Sequence, residues 1–290
     1  MFTGAMVALI TPFHEGEVDF KTLDELVDFQ LENGIDAIAP VGTTGECPTL
    51  SHEEHKKVIE RVVRAVGGRV PVIAGAGSNS TAEAIDLTSF SKKVGADATL
   101  QVGPYYNKPT QEGFYQHFKT IAEEVDLPMV LYNIPGRCGA GLTVDTIVRL
   151  AEIENIVGIK EASGSLDMAS EIAVRCDLTI LSGDDSLTLP IASVGGKGVI
   201  SVVANIVPAD VKAMTDLILE GDFISARQWH NKLFTLCRNL LGLATNPIPI
   251  KAAMAMLNMA SEEMRLPMTT LDEDKKTRLR QTLKEYGLLD

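Results

Sequence analysis

One lysine at the end of a short apolar run is well placed for covalent chemistry. Lys160 follows the β-branched run 156–159, and a Ser/Gly-rich segment comes after it. The run is typical of a buried strand, whose alternation would put Val157 and Ile159 on one face and Lys160 on the other. Burial would lower the pKa of Lys160 from ~10.4 and free a neutral amine, which forms Schiff bases with carbonyl compounds. The alternative is a lysine whose ammonium simply reaches solvent.

Eight strand-like segments, separated by polar loops and amphipathic helices, make up most of the chain. Strand, loop, helix and strand alternate, which predicts parallel strands joined by right-handed crossovers. Eight such units in ~220 residues fit an α/β fold of the (β/α)8 TIM-barrel type better than an open doubly wound sheet. The predicted strands are 5–10, 35–41, 70–74, 98–102, 128–131, the Lys160 strand, 178–181 and 199–203.

Helix starts and stops divide the chain further. Asp19 is a candidate N-cap, and Ser51 and Ser80 each precede a glutamate by three residues, which predicts two capping boxes. After Pro208 the apolar pattern is helical only, with a Met-rich helix predicted to fill core space and a last helix from about 272 to 286. We therefore expect a catalytic barrel at 1–221 and a C-terminal helical domain at 222–290, packed on the barrel or on a neighbouring subunit.

Charge and composition exclude several classes of partner. The 26 basic and 39 acidic residues give a net charge of −13, and no basic run exceeds a pair such as Lys56-Lys57, which argues against nucleic acid and anionic membranes. No apolar stretch approaches the ~20 residues that span a bilayer. A signal peptide would require basic residues near the N-terminus, but none precedes Lys21. The four cysteines form no C-x-x-C pair. We expect a cytoplasmic protein with reduced thiols.

Several common catalytic motifs are missing from the sequence. No G-x-G-x-x-G follows the first strand and no Walker sequence occurs, which removes the main support for a nucleotide site. Ser163 lacks the G-x-S-x-G context of a nucleophile elbow, and His52 and His55 do not form H-E-x-x-H. The sequence predicts neither a metal site nor a bound cofactor.

The active site of such a barrel lies where the strands end and the following loops begin. The residues at these positions supply one amine nucleophile, hydroxyl groups for proton transfer and a guanidinium group for a carboxylate. They are Thr43, Thr44, Tyr105, Tyr106, Tyr132, Arg137, Lys160, Gly183 and Ile200.

Three segments at strand ends carry a family resemblance. Gly42-Thr43-Thr44-Gly45-Glu46, Tyr132-Asn133-Ile134-Pro135-Gly136-Arg137 and Gly158-Ile159-Lys160-Glu161 occur in this order. Together they resemble the dihydrodipicolinate synthase and N-acetylneuraminate lyase family of pyruvate-dependent class I aldolases. The similarity runs from the first residues to Asn246-Pro247-Ile248-Pro249-Ile250-Lys251, nearly the whole chain.

The resemblance implies a reaction and a set of catalytic residues. Lys160 would form an imine with pyruvate, the derived enamine would add to aspartate semialdehyde, and cyclisation would release the lysine, as in diaminopimelate and lysine biosynthesis. Tyr132, Thr43 and Tyr106 match the family's proton relay. Tyr106 would reach in from the partner subunit of a tight dimer, and family dimers usually pair into a tetramer.

Four further residues match the family's substrate-binding positions. Thr44 and nearby amides would hold the pyruvate carboxylate, while Gly183 and the carbonyl of Ile200 would line the far wall. Arg137 would bind the carboxylate of the second substrate. It also favours a synthase, because neuraminate lyases typically lack an arginine there.

A second site is implied where lysine inhibits some family members, between paired subunits. The matching residues are His52, His55, Asn79, Glu83 and Tyr105. Cys47-Pro48 departs from the small residues usual there, and Glu83 is also explained by its predicted capping box. We hypothesise that lysine inhibits this protein.

Two other functions stay open at this point. One is a sibling aldolase that joins pyruvate to another aldehyde, which would use the same Lys160 and Tyr132. The other is a catalytically silent barrel that binds lysine as a sensor.

Overall fold

Eight parallel strands form the centre of the computed structural model, which describes residues 2–290. The strands are β1 (Gly4–Ala8), β2 (Ala37–Ala39), β3 (Ile73–Gly75), β4 (Ala98–Val102), β5 (Met129–Asn133), β6 (Ile156–Glu161), β7 (Thr179–Ser182) and β8 (Gly198–Ser201). Their order in the sheet is β2-β1-β8-β7-β6-β5-β4-β3, and a parallel bridge between Ile38 and Val72 joins the two ends. The predicted barrel is therefore confirmed.

Helices cover the outside of the barrel, with at least one helix between each pair of successive strands and four after the last strand. Ile38, Ile159 and Val199 point outward and join the apolar layer beneath the helices, while Met6, Ile73 and the other inward residues fill the barrel. The helices are α1 (Phe20–Glu32), α2 (His52–Val66), α3 (Thr81–Val94), α4 (Gln111–Glu124), α5 (Pro135–Cys138), α6 (Val144–Ala151), α7 (Leu166–Arg175), α8 (Thr188–Ser193), α9 (Pro208–Glu220), α10 (Phe223–Gly242), α11 (Ile248–Met256) and α12 (Glu273–Tyr286).

The helix caps confirm two of three sequence predictions. Asp19 accepts the amide hydrogens of Lys21 and Thr22, and Ser51 forms the reciprocal capping box with Glu54. The box predicted at Ser80 is wrong in its second half. Ser80 Oγ accepts the Glu83 amide at 3.5 Å, but the Glu83 carboxylate accepts the hydroxyl of Ser78 at 2.7 Å instead. A nearby hydroxyl has displaced the expected backbone donor.

Strand β6 departs from regular alternation at Val157. The pairing with β5 shifts between Met129 and Val130, which face Ile156 and Gly158, so Val157 forms a bulge. Val157 consequently packs against the barrel interior, whereas Ile159 lies in the outer apolar layer. The prediction that both share one face is wrong.

Strand β2 is shorter than the predicted 35–41. Ile35 still donates its amide to Gln30 O in the turn after α1, and the backbone reaches a left-handed φ of 55° at Val41. A two-residue hairpin, Phe13–His14 with Glu17–Val18, was not predicted because its strands are too short to show a period.

The last three helices share an apolar core with the barrel. Leu233, Leu240 and Leu283 belong to the same buried cluster as Val7 and Val199. Met254 is fully buried in that cluster and Met256 and Met259 pack against it, as predicted. None of the helices in residues 2–290 combines the length and apolar character needed to cross a bilayer.

Candidate active site

Lys160 and Tyr132 face each other at the carboxyl end of the barrel. They are register partners on β6 and β5, and Lys160 Nζ lies 4.3 Å from the centroid of the Tyr132 ring. Burial lowers the pKa of Lys160 from 10.5 to about 8, although the charge of Asp185 acts in the opposite direction. Burial raises the pKa of Tyr132 to about 12. The amine thus loses its proton readily while the neighbouring phenol keeps its own.

The loop after β2 carries Thr43 and Thr44. It turns sharply, with Gly45 N donating to Gly42 O at 3.1 Å and Glu46 N donating to Thr43 O at 3.2 Å. Thr44 is buried, and its Oγ1 accepts the Asn246 side-chain amide at 3.0 Å. The Thr44 hydroxyl proton therefore remains free for a ligand.

Arg137 lies after β5, in the single turn of α5. Its Nη2 donates to the backbone carbonyl of Asn246 at 2.9 Å. Its positive charge helps to lower the pKa values of Lys160 and Tyr132, which places the guanidinium close to both. The remaining donors of its planar fork are suited to a carboxylate.

A cavity of about 400 Å³ opens at this end of the barrel. Gly183 forms part of its wall, and its amide donates to Glu161 O at 2.8 Å. A Cβ at Gly183 would lie 2.6 Å from Ala162 Cβ, so a larger residue does not fit. The cavity is lined by Thr44, Tyr132, Ile134, Gly136, Arg137, Lys160, Ala162, Gly183, Asp184, Val202, Leu241, Thr245 and Asn246.

Two predicted residues lie beside this cavity rather than in its lining. Thr43 lines an adjoining cavity of about 260 Å³ that shares Arg137 and Asn246 with the first. Ile200, on β8, is fully buried in the barrel interior, two residues before the lining residue Val202.

Sequence reasoning missed two polar residues of the site. Asp185 is buried and accepts the Ser201 hydroxyl and the Val202 amide, the latter at 2.9 Å. Burial raises its pKa to about 6. The sequence predicts no role for Asn246, which belongs to the last segment of the family resemblance. Neither had a signal in the sequence, because each acts on residues far along the chain or on backbone groups.

Comparison with known proteins identifies the family. Residues 1–286 match the model of the dihydrodipicolinate synthetase family. The 4-hydroxy-tetrahydrodipicolinate synthase of Syntrophobacter fumaroxidans is 54% identical over the full length of both chains. The chain belongs to the dihydrodipicolinate synthetase family. The family indicated by the three motifs is thereby confirmed.

Solved structures of this family match the whole fold. The chloride-inhibited dihydrodipicolinate synthase of Acinetobacter baumannii, in complex with pyruvate, is 45% identical and superposes with a TM-score of 0.97, with 100% of both chains covered. The enzyme of Cyanidioschyzon merolae, with lysine bound, is 43% identical and has a TM-score of 0.95, with 99% of both chains covered.

Tyr106, the third relay residue that the family resemblance implied, lies outside the cavity of its own chain. Its side chain is 89% exposed and its backbone has a left-handed φ of 72°. This conformation is unusual for a bulky residue. Asn79 and Asn107 brace the segment, since Asn79 donates to Tyr105 O at 3.1 Å and Asn107 to Asn79 O at 2.9 Å.

The residues of the lysine cleft implied by the family lie close together. His52, His55, Glu83 and Tyr105 line one cleft of about 110 Å³, and Asn79 borders it through Tyr105 O. His55 Nε2 bonds to Gly75 O at 2.7 Å, and burial lowers its pKa to about 4. His55 is therefore neutral at pH 7. No group of three His, Cys, Asp or Glu residues within 2–290 is arranged to hold a metal ion.

Proposed function

We propose that this protein condenses pyruvate with L-aspartate 4-semialdehyde to give 4-hydroxy-tetrahydrodipicolinate, in the diaminopimelate and lysine pathway. The observation that carries the proposal is the buried Lys160 amine at the barrel mouth, with its lowered pKa and its contact to the Tyr132 ring. Support comes from the relatives, which are named for this activity, and from the Acinetobacter baumannii enzyme, which binds pyruvate.

The first half of the reaction forms the nucleophile. The neutral Nζ of Lys160 attacks the keto carbon of pyruvate, and water leaves to give an iminium ion. The Thr44 hydroxyl, whose oxygen is already engaged by Asn246, donates to the pyruvate carboxylate. Loss of a proton from the methyl carbon then gives the enamine. Tyr132 and Thr43 relay the proton that the departing hydroxyl takes up and the proton that the methyl carbon loses.

The second half joins the substrates and releases the lysine. The enamine carbon bonds to the aldehyde carbon of the semialdehyde, whose oxygen takes a proton from the relay. The Arg137 fork holds the carboxylate of this substrate. The amino group of the former semialdehyde then attacks the iminium carbon, closes the ring and expels Lys160 as the free amine. Gly183 and the Ile200 carbonyl form the far wall of the site.

We further propose that the active unit is a tight homodimer, with two dimers forming a tetramer. The exposed Tyr106, fixed in a strained conformation away from its own cavity, is suited to complete the relay of a partner subunit. Residues 1–221 would be the catalytic barrel and 222–290 the helical domain. The boundary would fall where α9 ends, at the left-handed Gly221. We expect this assembly to work in the cytoplasm.

A regulatory function is favoured by the cleft at His52. Glu83 offers a carboxylate for an ammonium group, and the neutral His55 does not repel a cation. We propose that lysine binds there and inhibits, as lysine is bound by the Cyanidioschyzon merolae enzyme. Lysine titration of the wild type should lower turnover, and Glu83→Gln should raise the half-inhibitory concentration ~10-fold or more. The surface variant Glu53→Gln is the matched control. Unchanged wild-type turnover in millimolar lysine would refute regulation.

A panel of aldehydes tests the synthase assignment. Aspartate semialdehyde should be turned over far faster than succinate semialdehyde or an N-acetylmannosamine acceptor, because only it offers both the carboxylate and the amine. Faster turnover of another aldehyde would favour a sibling aldolase. No turnover with any acceptor, together with lysine binding, would favour a silent sensor.

A further inference from the structure

A buried ion pair joins the C-terminal helices to the loop that carries Thr43 and Thr44. The ammonium of Lys251, on α11, contacts the carboxylate of Glu46, and the two side chains are 0% and 2% exposed. Lys251 Nζ also donates to Glu263 O at 2.7 Å and lies 4.2 Å from the centroid of the Phe13 ring. Burying two charges is costly, and such pairs add little to stability over apolar replacements. Stability alone therefore does not explain this pair.

The loop held by this pair has a strained backbone. Val41 and Glu46, at its two ends, have left-handed φ values of 55° and 54°. A β-branched residue in this region is a clear outlier. The turn is also tight, since a Cβ at Gly45 would lie 2.9 Å from Val41 Cα. Strained conformations persist only where the surrounding structure holds them in place.

The C-terminal segment supplies further contacts to this loop. Asn246 donates to Thr44 Oγ1 at 3.0 Å. The backbone amide of Arg265 approaches Glu46 Oε2 at 3.4 Å, and its guanidinium pairs with Glu54 at 2.6 Å and 2.9 Å. The loop is thus anchored from one side by residues of the segment 246–265. Glu46 provides the charged anchor three residues after Thr43.

We infer that Lys251 and Glu46 are positioning residues, whose ion pair fixes the loop so that Thr43 and Thr44 meet the reacting pyruvate. The inference rests on the proposed function, since it assigns the loop its catalytic task. It makes the C-terminal helices part of the active-site framework rather than only a packing layer. Thr43 would lose proton-transfer geometry without the pair, and Thr44 would lose its hold on the carboxylate.

The test compares variants that separate geometry from charge burial. Lys251→Met/Glu46→Gln removes both charges and leaves no unpaired ion, so Tm should stay near that of the wild type. Its kcat should fall ~10- to 100-fold, and half-saturating pyruvate should rise, because a displacement of about 1 Å is enough for such losses. Active sites are counted by covalent trapping of pyruvate. Lys212→Met, which breaks an ion pair with Asp36, is the control and should change neither kcat nor the half-saturating pyruvate concentration.

A third variant covers the case in which the neutral pair fails to fold. Glu46→Asp keeps both charges but shortens the anchor by one methylene, and it should also lower kcat at least ~10-fold. Wild-type kcat and pyruvate dependence in the folded double variant, or in Glu46→Asp, would overturn the inference. Absence of turnover in the wild type would instead contradict the proposed function.

Discussion

Two lysines lie at opposite ends of the barrel and have opposite environments. Lys212 reaches Asp36, the residue before β2, at 2.9 Å and pairs with Asp216 at the same distance. These partners raise its pKa despite its partial burial. Lys160, at the carboxyl end, is 5% exposed, and burial lowers its pKa to about 8. The lysine at the amino end is held charged by its ion pairs, whereas the lysine at the carboxyl end readily becomes a neutral, reactive amine.

A similar contrast separates two carboxylates at the amino ends of the strands from one amide oxygen at the mouth. At the amino ends of the strands, Asp36 accepts the Ala5 amide and Asp97 accepts the Val72 amide, each at 2.8 Å. At the mouth, the buried Oδ1 of Asn246 has no hydrogen-bond partner among residues 2–290. These two carboxylates secure the amino ends of the strands, whereas the Asn246 oxygen at the mouth stays available for a ligand. This is how a barrel separates stability from chemistry.

Removing each lysine should break the comparison most clearly. Lys160→Met should lower turnover at least ~10⁴-fold, because it deletes the nucleophile. Lys212→Met should leave turnover near the wild-type value. The check is product formation with saturating substrates, after circular dichroism has confirmed folding of both variants. Comparable losses in both would show that the two ends are not functionally distinct.

Removing one hydroxyl at the mouth tests the proton relay. Tyr132→Phe should lower kcat roughly 10²–10⁴-fold, since it keeps the ring against Lys160 and deletes only the proton carrier. Tyr115→Phe, on α4 outside the cavity, is the control. Turnover of Tyr132→Phe close to that of the wild type would exclude the relay role.

A charge-conserving change tests how the second substrate is held. Arg137→Lys keeps the positive charge near Lys160 but loses the planar fork, so KM for aspartate semialdehyde should rise ~10- to 100-fold. The concentration dependence of pyruvate trapping should change little. An equal rise for both substrates would place Arg137 at the pyruvate carboxylate instead.

Stability should respond with opposite signs at the two ends. The native pKa of Lys160, about 8, lies below its ordinary 10.5. Between these values the unfolded chain holds a proton that the native protein has lost, so stability rises with pH there and the cost is full below pH 8. That cost is roughly 3 kcal/mol. Lys160→Met should therefore stabilise the protein at pH 7, by less as the pH approaches 10.

The change in stability expected on replacing Lys212 is smaller and has the opposite sign. Its raised pKa means that the ion pair stabilises below the ordinary lysine pKa and is lost as the pH rises through the raised value. Lys212→Met should destabilise by about 1 kcal/mol or less, because the pair is partly exposed. Urea unfolding of the wild type and both variants at pH 7 and pH 9 measures the sign of each change in the free energy of unfolding. Destabilisation by Lys160→Met at pH 7 would contradict the account.

Local signals in the sequence were sufficient for the framework of the fold. β-Branched runs and the Ser51 capping box depend on neighbouring residues, and the structure confirms them. The sequence left two environments open for Lys160, and the structure shows the buried one rather than the ammonium that reaches solvent. Two predictions were wrong because a neighbouring feature outside the local sequence pattern changed the expected contact or orientation. Ser78 took the Glu83 carboxylate, and a register shift turned Val157 inward.

Contacts between distant segments were not predictable from one chain. The Lys251–Glu46 pair and the Asn246–Thr44 bond each join residues more than 200 positions apart. No periodicity or cap links such residues, and an isolated lysine or asparagine has many ordinary roles. Only the folded backbone brings the C-terminal segment to the loop after β2.

Borohydride reduction in the presence of pyruvate tests the central claim most directly. The protein should gain the mass of one reduced pyruvate adduct, located on Lys160 by peptide mass spectrometry, and aspartate semialdehyde should lower the trapped fraction by drawing the adduct forward. Lys160→Met should gain no such mass. An adduct at another lysine, or none in the wild type, would contradict the Schiff-base mechanism.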